Sequence, residues 1–284
     1  TADLIAKAGR LKVVGRAGTG VDNVDVEAAT RRGIIVCNAA GSNSLSAAEH
    51  AIALMLSQAR NVAQAHSSLV AGRWDRSKYG GIEITGKTLG VMGFGRIGQM
   101  VAERAKGLGM HVVAYDPFVT EHRYRELGVE QAATPEALYA VADFVTLHLA
   151  STPETRGSIG REAFAAMKPG ARLINAARGD IVDTDALVEA LTSGHLGGAG
   201  IDVFPQEPTT ESPLFGLPGV VVTPHLGAST SEAQDRAGVV VAEQVAQDAA
   251  RLLAQPERVQ PLAGIVVGQH LRRAVGARAV RQAR

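Results

Sequence analysis

Cysteine is almost absent from this sequence: Cys37 is the single one in 284 residues. One cysteine forms no disulfide within the chain and builds no cysteine-rich metal site, so disulfide-stapled secreted scaffolds are excluded. A reducing compartment suits such a composition. We therefore predict a cytoplasmic protein.

An excess of charge of either sign is also missing. Lys and Arg total 29 against 28 for Asp and Glu, which leaves a formal net charge of +1. A protein whose main task is to neutralise a nucleic-acid phosphate backbone carries a strongly basic balance. The composition therefore predicts a small-molecule partner and no nucleic acid.

Long apolar runs without helix breakers are lacking too. The longest uncharged stretch, Ser212 to Ser231, contains Pro213, Pro218 and Pro224, which a membrane-spanning helix does not tolerate together. The first eight residues have neither the basic start nor the apolar run of a signal peptide. No stretch repeats at a fixed period, so solenoids and propellers are excluded. We expect no membrane association.

Short apolar runs bounded by Gly, Pro or Asp alternate with helical patterns, which is the rhythm of an α/β fold. We predict these buried strands: Leu11 to Gly15, Ile34 to Cys37, Thr88 to Gly93, His111 to Tyr115, Phe144 to Leu149, Arg172 to Ala176, Ala199 to Phe204 and Val220 to Thr223. Helices on both faces of such a parallel sheet give a Rossmann-type, doubly wound architecture.

Two longer helical patterns interrupt this rhythm. Ser44 to Leu69 has apolar residues at helical spacing after a capping serine, and Ser231 to Leu253 is of similar length. They flank the six central strands, which predicts a second, smaller lobe built from both chain ends. We expect residues 44–229 to form the Rossmann domain, and residues 1–43, completed by 230–284, to form the smaller lobe.

The segment Gly93-Phe94-Gly95-Arg96-Ile97-Gly98 is a G-x-G-x-x-G motif between a predicted strand and a predicted helix. In this context the first glycine makes the bend, the second lets the backbone approach a pyrophosphate, and the third brings the helix against the strand. Asp116 ends the next strand, where an acidic side chain accepts from a ribose 2′-hydroxyl and repels a 2′-phosphate. The sequence predicts NAD rather than NADP.

Three polar side chains follow successive predicted strands in the second half of the chain. Arg178 can bind a carboxylate through two parallel hydrogen bonds. Glu207 and His225 can form a pair that releases a proton in reduction and takes one in oxidation, because the carboxylate fixes the imidazole tautomer and favours the imidazolium. Beside a dinucleotide turn, this set predicts hydride transfer at a carbon that carries oxygen.

Other chemistries lack their residues. The remaining histidines show no metal-ligand spacing, so we expect no metal. Neither a Gly-x-Ser-x-Gly elbow nor a Walker lysine motif is present, which argues against hydrolases and nucleoside triphosphatases.

Together these motifs resemble the D-isomer-specific 2-hydroxyacid dehydrogenases. The resemblance covers roughly residues 9 to 245 and rests on these segments: Leu11 to Asp25, Asn43 to Glu49, Gly93 to Gly98, Asn175 to Gly179, Asp202 to Pro208 and Thr223 to Thr230. It implies that Arg178, Glu207 and His225 are the catalytic residues, with His225 the proton donor and acceptor. It also implies that the smaller lobe is flavodoxin-like and binds the substrate.

The resemblance further implies which residues contact the ligands. For NAD they are Thr19, Gly93, Gly95, Arg96, Ile97, Gly98, Asp116, Leu149, Ala176, Ala177, Arg178, Asp202, His225, Gly227 and Ala228, with Asp202 facing the nicotinamide amide. For the substrate carboxylate or phosphate they are Arg16, Ala17, Gly18, Arg76 and Arg178. Arg76 would reach the substrate site of a partner copy, so a homodimer or higher homo-oligomer is implied.

The substrate class leaves alternatives open. Arg16, Arg76 and the segment from Leu226 to Thr230 favour a phosphorylated 2-hydroxy or 2-keto acid. A reductase for glyoxylate, hydroxypyruvate or another 2-keto acid is an alternative, because the same catalytic residues serve the whole family. A non-catalytic protein that senses NAD(H) is another, because proteins of that kind keep similar residues.

Three features depart from the family pattern. Family members usually begin well before the residue that is Thr1 here, which implies that the first strands of the smaller lobe are missing. The family's Leu-His-x-Pro is Leu147-His148-Leu149-Ala150 in this chain. Residues 258–284 hold several arginines and no acid, and we interpret them as a solvated end rather than a nucleic-acid contact.

Overall fold

The computed structural model describes residues 1–21 and 23–254. The chain divides into two compact units, one of Ser44–Gly227 and the other of Thr1–Asn43 with the chain from Ala228 onward. The arginine-containing segment at residues 258–284 lies outside the described residues. That the smaller unit binds the substrate stays a prediction.

Strands and helices alternate along most of the chain. The strands are β1 Val13–Arg16, β2 Ile35–Asn38, β3 Thr88–Met92, β4 His111–Tyr115, β5 Glu130–Gln131, β6 Phe144–Leu147, β7 Arg172–Asn175, β8 Gly198–Ile201 and β9 Val220–Val222. The helices are α1 Ala2–Lys7, α2 Val26–Arg31, α3 Ser44–Ala59, α4 Val62–Val70, α5 Arg96–Gly107, α6 Glu121–Leu127, α7 Pro135–Val141, α8 Arg161–Ala166, α9 Thr184–Thr192 and α10 Ser231–Ala254. Short 3₁₀ helices cover Arg76–Tyr79 and Gly179–Ile181.

The larger unit is built on a parallel sheet of seven strands in the order β5-β4-β3-β6-β7-β8-β9. The chain winds outward from β3 in one direction and from β6 in the other, so the strand order reverses between these two neighbours. Open α/β sheets bind ligands at such a switch point, beyond the carboxyl ends of the strands. The predicted Rossmann-type, doubly wound sheet is confirmed.

Both faces of this sheet are buried. Leu173 of β7 packs in a core with side chains of α7, α8 and α9, whereas its neighbour Ile174 packs in a core with side chains of α3, α5 and α6. Successive residues of a strand point to opposite faces, so a sheet covered on both sides has apolar residues at most positions. This is why the strands occur in the sequence as short, mainly apolar runs.

The prediction of one helix from Ser44 to Leu69 is wrong. The structure has two helices, α3 and α4, separated at Asn61, whose φ of 52° is left-handed. The Asn61 side chain donates to the Gly80 carbonyl at 2.9 Å, and the Ile82 amide donates to the Ala59 carbonyl at 2.9 Å. The segment from Gly80 to Ile82 thus stabilises a break that the apolar spacing does not reveal.

Several predicted strands run past their observed ends. The strand predicted from Phe144 to Leu149 ends at Leu147, and the one predicted from Ala199 to Phe204 is Gly198–Ile201. The residues beyond these ends leave the sheet and form loops. The two-residue edge strand Glu130–Gln131, which is exposed and polar, was not predicted because it lacks an apolar run.

The smaller unit contains the parallel pair β1 and β2, with α10 packed against both. The helix lies close to the strand, because a Cβ built on Gly15 would lie 2.8 Å from a methyl carbon of Val241 and 2.6 Å from one of Val245. The described core of this unit is small and contains Ile5, Ala28, Ala29 and Ile34. Its predicted flavodoxin-like character stays a prediction.

Candidate active site

The carboxyl ends of the central strands are level. Met92 of β3 is paired with Leu147 of β6, Leu147 with Asn175 of β7, Asn175 with Ile201 of β8, and Ile201 with Val222 of β9. The loops that follow these residues therefore begin along one edge of the sheet. Most predicted cofactor and catalytic residues of the larger unit lie in these loops.

The glycine turn has the geometry that a pyrophosphate requires. Gly93 has a φ of 89°, and a Cβ on Gly98 would lie only 2.1 Å from the Gly93 carbonyl oxygen. A Cβ on Gly95 would meet nothing within 4 Å, so space is open above its backbone. Helix α5 begins at Arg96 and presents its N-terminal amides, with their partial positive charge, to this space. These residues fit a dinucleotide.

Asp116 follows β4 and lies against the glycine turn. One oxygen of its carboxylate accepts from the Phe94 amide at 2.9 Å, and the other accepts from the Phe118 amide at 2.9 Å. Each carboxylate oxygen has further lone pairs, so a ribose hydroxyl can donate to the same group. The negative charge beside the turn also disfavours a 2′-phosphate.

The loop after β6 packs against the glycine turn at Gly93. A Cβ on Gly93 would lie 2.6 Å from the His148 carbonyl oxygen and 3.1 Å from a methyl carbon of Leu149. Burial lowers the pKa of His148 to about 4, so its imidazole is neutral at pH 7. Its Nε2 lies 3.0 Å from Thr146 Oγ1. The segment from Leu147 to Ala150, which departs from the family's Leu-His-x-Pro, thus contacts the predicted cofactor turn at Gly93.

Arg178 lies in a loop organised by Asn175, the last residue of β7. The buried Asn175 side chain donates to the Arg178 carbonyl at 2.9 Å and accepts from the Ala177 amide at 3.0 Å. A Cβ on Gly179 would lie 2.0 Å from the Phe204 backbone, so this loop is packed closely against the next one. The position of Arg178 is therefore set from both sides.

The structure brings Glu207 and His225 together. Glu207 Oε2 lies 2.5 Å from His225 Nδ1, and Glu207 Oε1 accepts from the Phe204 amide at 2.8 Å. A carboxylate only accepts, so Nδ1 carries the proton of this bond. Nε2 is then the nitrogen that can exchange a proton with a substrate.

A cavity of about 510 Å³ adjoins this pair. Its walls are mainly apolar and include Phe204, Pro208, Phe215, Val222 and Pro224. Phe204 and Phe215 make an edge-to-face contact with ring centres 5.6 Å apart. Glu207 and His225 also line this cavity.

Asp202, predicted to face the nicotinamide, is a fully buried carboxylate that follows β8. It accepts from His50 Nε2 at 3.1 Å, Thr223 Oγ1 at 2.6 Å, and the amides of Leu226 at 2.7 Å and Gly227 at 2.8 Å. Burial alone would raise the pKa of Asp202, but these hydrogen bonds hold it below its usual value, so the group is ionised at pH 7. Its contact with the nicotinamide stays a prediction.

Sequence reasoning missed His50 and Asn175. His50 is a single histidine on α3, separated from Asp202 by 152 positions, so no local spacing could reveal the contact. Asn175 belongs to one of the segments that carry the family resemblance, but the resemblance implies no role for it. A polar residue at the end of a buried apolar strand was the available signal.

The predicted substrate residues of the smaller unit lie at the end of β1. Arg16 Nη1 donates to the Ala17 carbonyl at 2.8 Å, so the guanidinium folds over its own loop. The Asn38 side chain donates to the Thr19 carbonyl at 2.6 Å, and Thr19 Oγ1 donates to Asn43 Oδ1 at 2.6 Å. These bonds connect Thr19 of this loop to Asn38 and Asn43. The other predicted cofactor residue of this unit, Ala228, is half-buried.

Arg76 begins a 3₁₀ helix on the surface of the larger unit and is exposed. Its neighbour Trp74 is 81% exposed, and Asp75 pairs with Lys78 at 3.2 Å. The predicted role of Arg76 requires a second copy of the chain and stays a prediction.

Two other features are absent from the part of the chain that the structure describes. Within residues 1–21 and 23–254, no three His, Cys, Asp or Glu side chains are grouped as metal ligands. In the same part of the chain, no helix combines the length and apolarity needed to cross a membrane.

Comparison with known proteins identifies the larger unit. The family model described as "D-isomer specific 2-hydroxyacid dehydrogenase, NAD binding domain" matches residues 52–227. A D-3-phosphoglycerate dehydrogenase from Mycobacterium leprae is 57% identical over 244 residues, which are 86% of this chain and 46% of that protein. The chain spans about half the length of the curated relatives it matches.

Solved structures share the fold. An NAD-dependent formate dehydrogenase from Staphylococcus aureus, in complex with NAD, is 37% identical with a TM-score of 0.77, covering 92% of this chain and 77% of that chain. A glyoxylate reductase from Paecilomyes thermophila is 33% identical with a TM-score of 0.79, covering 87% of this chain and 75% of that chain. Together with the family match, these findings confirm NAD as the predicted cofactor. The roles of individual site residues stay predictions.

Proposed function

The chain belongs to the D-isomer-specific 2-hydroxyacid dehydrogenase family, as its motifs predict, and we propose that it oxidises 3-phospho-D-glycerate to 3-phosphooxypyruvate with NAD. This reaction would serve L-serine biosynthesis in the cytoplasm. The proposal is carried by the hydrogen bond between Glu207 and His225, at the edge of the sheet that also holds the Gly93–Gly98 turn. The identity of 57% over 244 residues to the relative from Mycobacterium leprae favours the phosphorylated substrate.

His225 moves the proton in this mechanism. During oxidation its Nε2 takes the proton of the substrate hydroxyl while the C–H bond at the same carbon breaks. The dinucleotide that the Gly93–Gly98 turn would hold would supply the hydride acceptor for that carbon. Glu207, bonded to Nδ1, stabilises the imidazolium that forms. In reduction the same carbon regains a hydride and His225 Nε2 returns the proton to the carbonyl oxygen, which leaves the imidazole neutral.

Arg178 binds the substrate carboxylate in this proposal. It follows β7, which is separated from β9 by one strand, so the strands that precede Arg178 and His225 lie about 10 Å apart. The planar guanidinium can hold the carboxylate with two hydrogen bonds and can polarise the neighbouring carbonyl.

We propose that the substrate phosphate is bound by arginines that do not lie at the carboxyl-end edge of the sheet. Arg16, in the loop after β1, is the cation proposed for the substrate in the smaller unit, and Arg76 is proposed as a second phosphate contact from a partner copy. An Arg76→Ala variant should raise the KM for the phosphorylated keto acid without changing the KM for hydroxypyruvate. An equal change in KM for both substrates would contradict the assignment of Arg76 to the phosphate site.

We also propose that the chain forms a homodimer through the surface around α4. Val62, Leu69, Val70 and Trp74 are exposed there by 54%, 55%, 73% and 81%. A contiguous apolar patch on a surface is typical of an interaction site. Sedimentation of the wild type should give a dimer, and Trp74→Ser should weaken it. A monomeric wild type would refute the assignment.

Turnover of NADH tests the function directly. The purified chain is mixed with NADH, and nicotinamide absorbance is followed after addition of 3-phosphooxypyruvate, hydroxypyruvate, glyoxylate or 2-oxoglutarate, with His225→Ala as the inactive control. Rapid loss of absorbance with the phosphorylated acid, and none in the control, is the expected result.

The other outcomes identify the alternatives. Faster turnover of glyoxylate or hydroxypyruvate would indicate the reductase, for which the similarity to the glyoxylate reductase from Paecilomyes thermophila, 33% identical, is the supporting observation. Tight NADH binding without any turnover would indicate a protein that senses NAD(H).

A further inference from the structure

We propose that His50 is a positioning residue for the proton carrier His225 and acts through the buried carboxylate of Asp202. The inference rests on the proposed function, since it concerns the loop that carries the proposed acid–base residue. His50 lies on α3, beneath the carboxyl ends of β8 and β9, where Nε2 contacts both Asp202 Oδ1 and Thr223 Oγ1.

Asp202 holds the His225 loop at several points. Its backbone carbonyl accepts from the His225 amide at 2.8 Å, and its carboxylate accepts from the amides of Leu226 and Gly227 at 2.7 and 2.8 Å. Three successive amides of the loop are therefore bonded to one residue. Any rotation of the Asp202 carboxylate would release two of them.

This support matters because the backbone of His225 is strained. Its φ is 55°, in the left-handed region that a residue with a Cβ adopts only when surrounding contacts hold it there. The same backbone conformation aims the imidazole at Glu207, 2.5 Å from Nδ1. Loosening of the loop would therefore disturb the proton carrier before it disturbed the sheet.

His50 helps to fix the orientation of the carboxylate. A carboxylate only accepts hydrogen bonds, so Nε2 of His50 must carry the proton that it shares with Asp202 Oδ1 at 3.1 Å. Thr223 Oγ1 donates to the same oxygen at 2.6 Å and lies 3.0 Å from Nε2. A buried charged acceptor that loses a donor is destabilised by more than the net value of one hydrogen bond. Without His50, we expect the Asp202 carboxylate to rotate towards another donor and to lose its bonds to the amides of Leu226 and Gly227.

Three substitutions separate positioning from packing. His50→Leu removes the donor and keeps an apolar side chain of moderate size. His50→Gln restores an N–H near the position of Nε2. His195→Leu is the matched control, because His195 is also half-buried, bonds through Nε2 to the Phe164 carbonyl at 2.8 Å, and precedes β8 at the end of the strand opposite to Asp202.

Two measurements are made on the full chain: steady-state reduction of 3-phosphooxypyruvate, and amide hydrogen exchange of residues 223–229 without ligands. In His50→Leu we expect kcat to fall about tenfold with KM unchanged, and exchange to become about tenfold faster. His50→Gln should restore both to within about threefold of the wild type. His195→Leu should change neither.

Several results would overturn the proposal. They are an unchanged kcat and exchange rate in His50→Leu, a rise of KM alone, or an equal loss in His195→Leu. If His50→Leu does not fold, His50→Asn replaces it, because the shorter amide does not reach Asp202 and should give the same loss. If the wild type reduces no keto acid, the proposed function fails, and the exchange of residues 223–229 still decides whether His50 supports the loop.

Discussion

Two alanine substitutions in the glycine turn should have different effects. A Cβ on Gly98 would lie 2.1 Å from the Gly93 carbonyl oxygen and 3.1 Å from a methyl carbon of Val91. A Cβ on Gly95 would meet nothing within 4 Å, and the φ of Gly95, −71°, is one that alanine adopts easily. Gly98→Ala should therefore lower stability, whereas Gly95→Ala should lower only the affinity for the dinucleotide.

The magnitudes follow from the contacts. To admit the methyl group of Gly98→Ala, α5 and the turn must separate by about 1 Å, and such overpacking costs about 1–3 kcal/mol. At about 2–4 °C per kcal/mol for a unit of this size, Tm should fall by roughly 2–12 °C. In Gly95→Ala, the methyl group occupies the path of the pyrophosphate. Loss of one hydrogen bond to a charged oxygen, worth about 1.5–3 kcal/mol, should raise the Kd for NADH roughly 10- to 100-fold.

Thermal unfolding without ligand gives Tm, and NADH fluorescence titration gives Kd. We expect Gly95→Ala to unfold within about 2 °C of the wild type while binding NADH weakly. Wild-type affinity in Gly95→Ala would refute the placement of the pyrophosphate above this residue. An equal loss of Tm in both variants would refute the separation of packing from ligand approach.

Three other predictions concern charges at the site. Glu207→Gln should keep the Kd for NADH and lower kcat by about 100-fold or more, because the imidazolium loses its counter-charge; weaker NADH binding with an unchanged kcat would contradict the assignment. Asp116→Asn should lower the ratio of the NADPH Kd to the NADH Kd by about tenfold, because repulsion of the 2′-phosphate is lost, and an unchanged ratio would place the ribose elsewhere. Between its ordinary pKa of 6.5 and its lowered pKa of about 4, His148 binds a proton in the unfolded chain but not in the folded one. Stability to urea should therefore decrease as pH falls through that range, and His148→Asn should reduce the slope; an equal slope in both proteins would show that the slope has another source.

The sheet could be predicted from the sequence because burial on both faces leaves a local record. Each of the predicted strands corresponds to an observed one. Neighbouring residues such as Leu173 and Ile174 pack in the cores on opposite faces of the sheet, so both are apolar and the strand is visible as an apolar run. The break between α3 and α4 could not be predicted in the same way. Asn61 is held left-handed by Gly80, and the Ala59 carbonyl is bonded by Ile82, which are contacts between segments that the helical spacing does not encode.

The candidate site was predictable to the extent that its residues follow strand ends. Glu207 and His225 follow successive predicted strands and are predicted to form a pair, and in the structure Glu207 Oε2 lies 2.5 Å from His225 Nδ1. His50 was not expected, because its contact with Asp202 depends on how α3 lies across the sheet. Packing of a helix on a sheet is set by many side chains together, and no single motif records it.

Polar residues at the strand ends form hydrogen bonds with the loops, in addition to any contact that they make with a ligand. Asn175 accepts from the amide of Ala177, Asp116 from the amides of Phe94 and Phe118, and Asp202 from two amides of the His225 loop. Each therefore satisfies backbone groups that lose their partners where the sheet ends. A polar residue after a buried run is consequently an ambiguous signal, since organising a loop and binding a ligand call for the same side chains. The two roles are separated when hydrogen exchange without ligand is compared with ligand affinity in the same variant, because only a loop-organising residue changes the first.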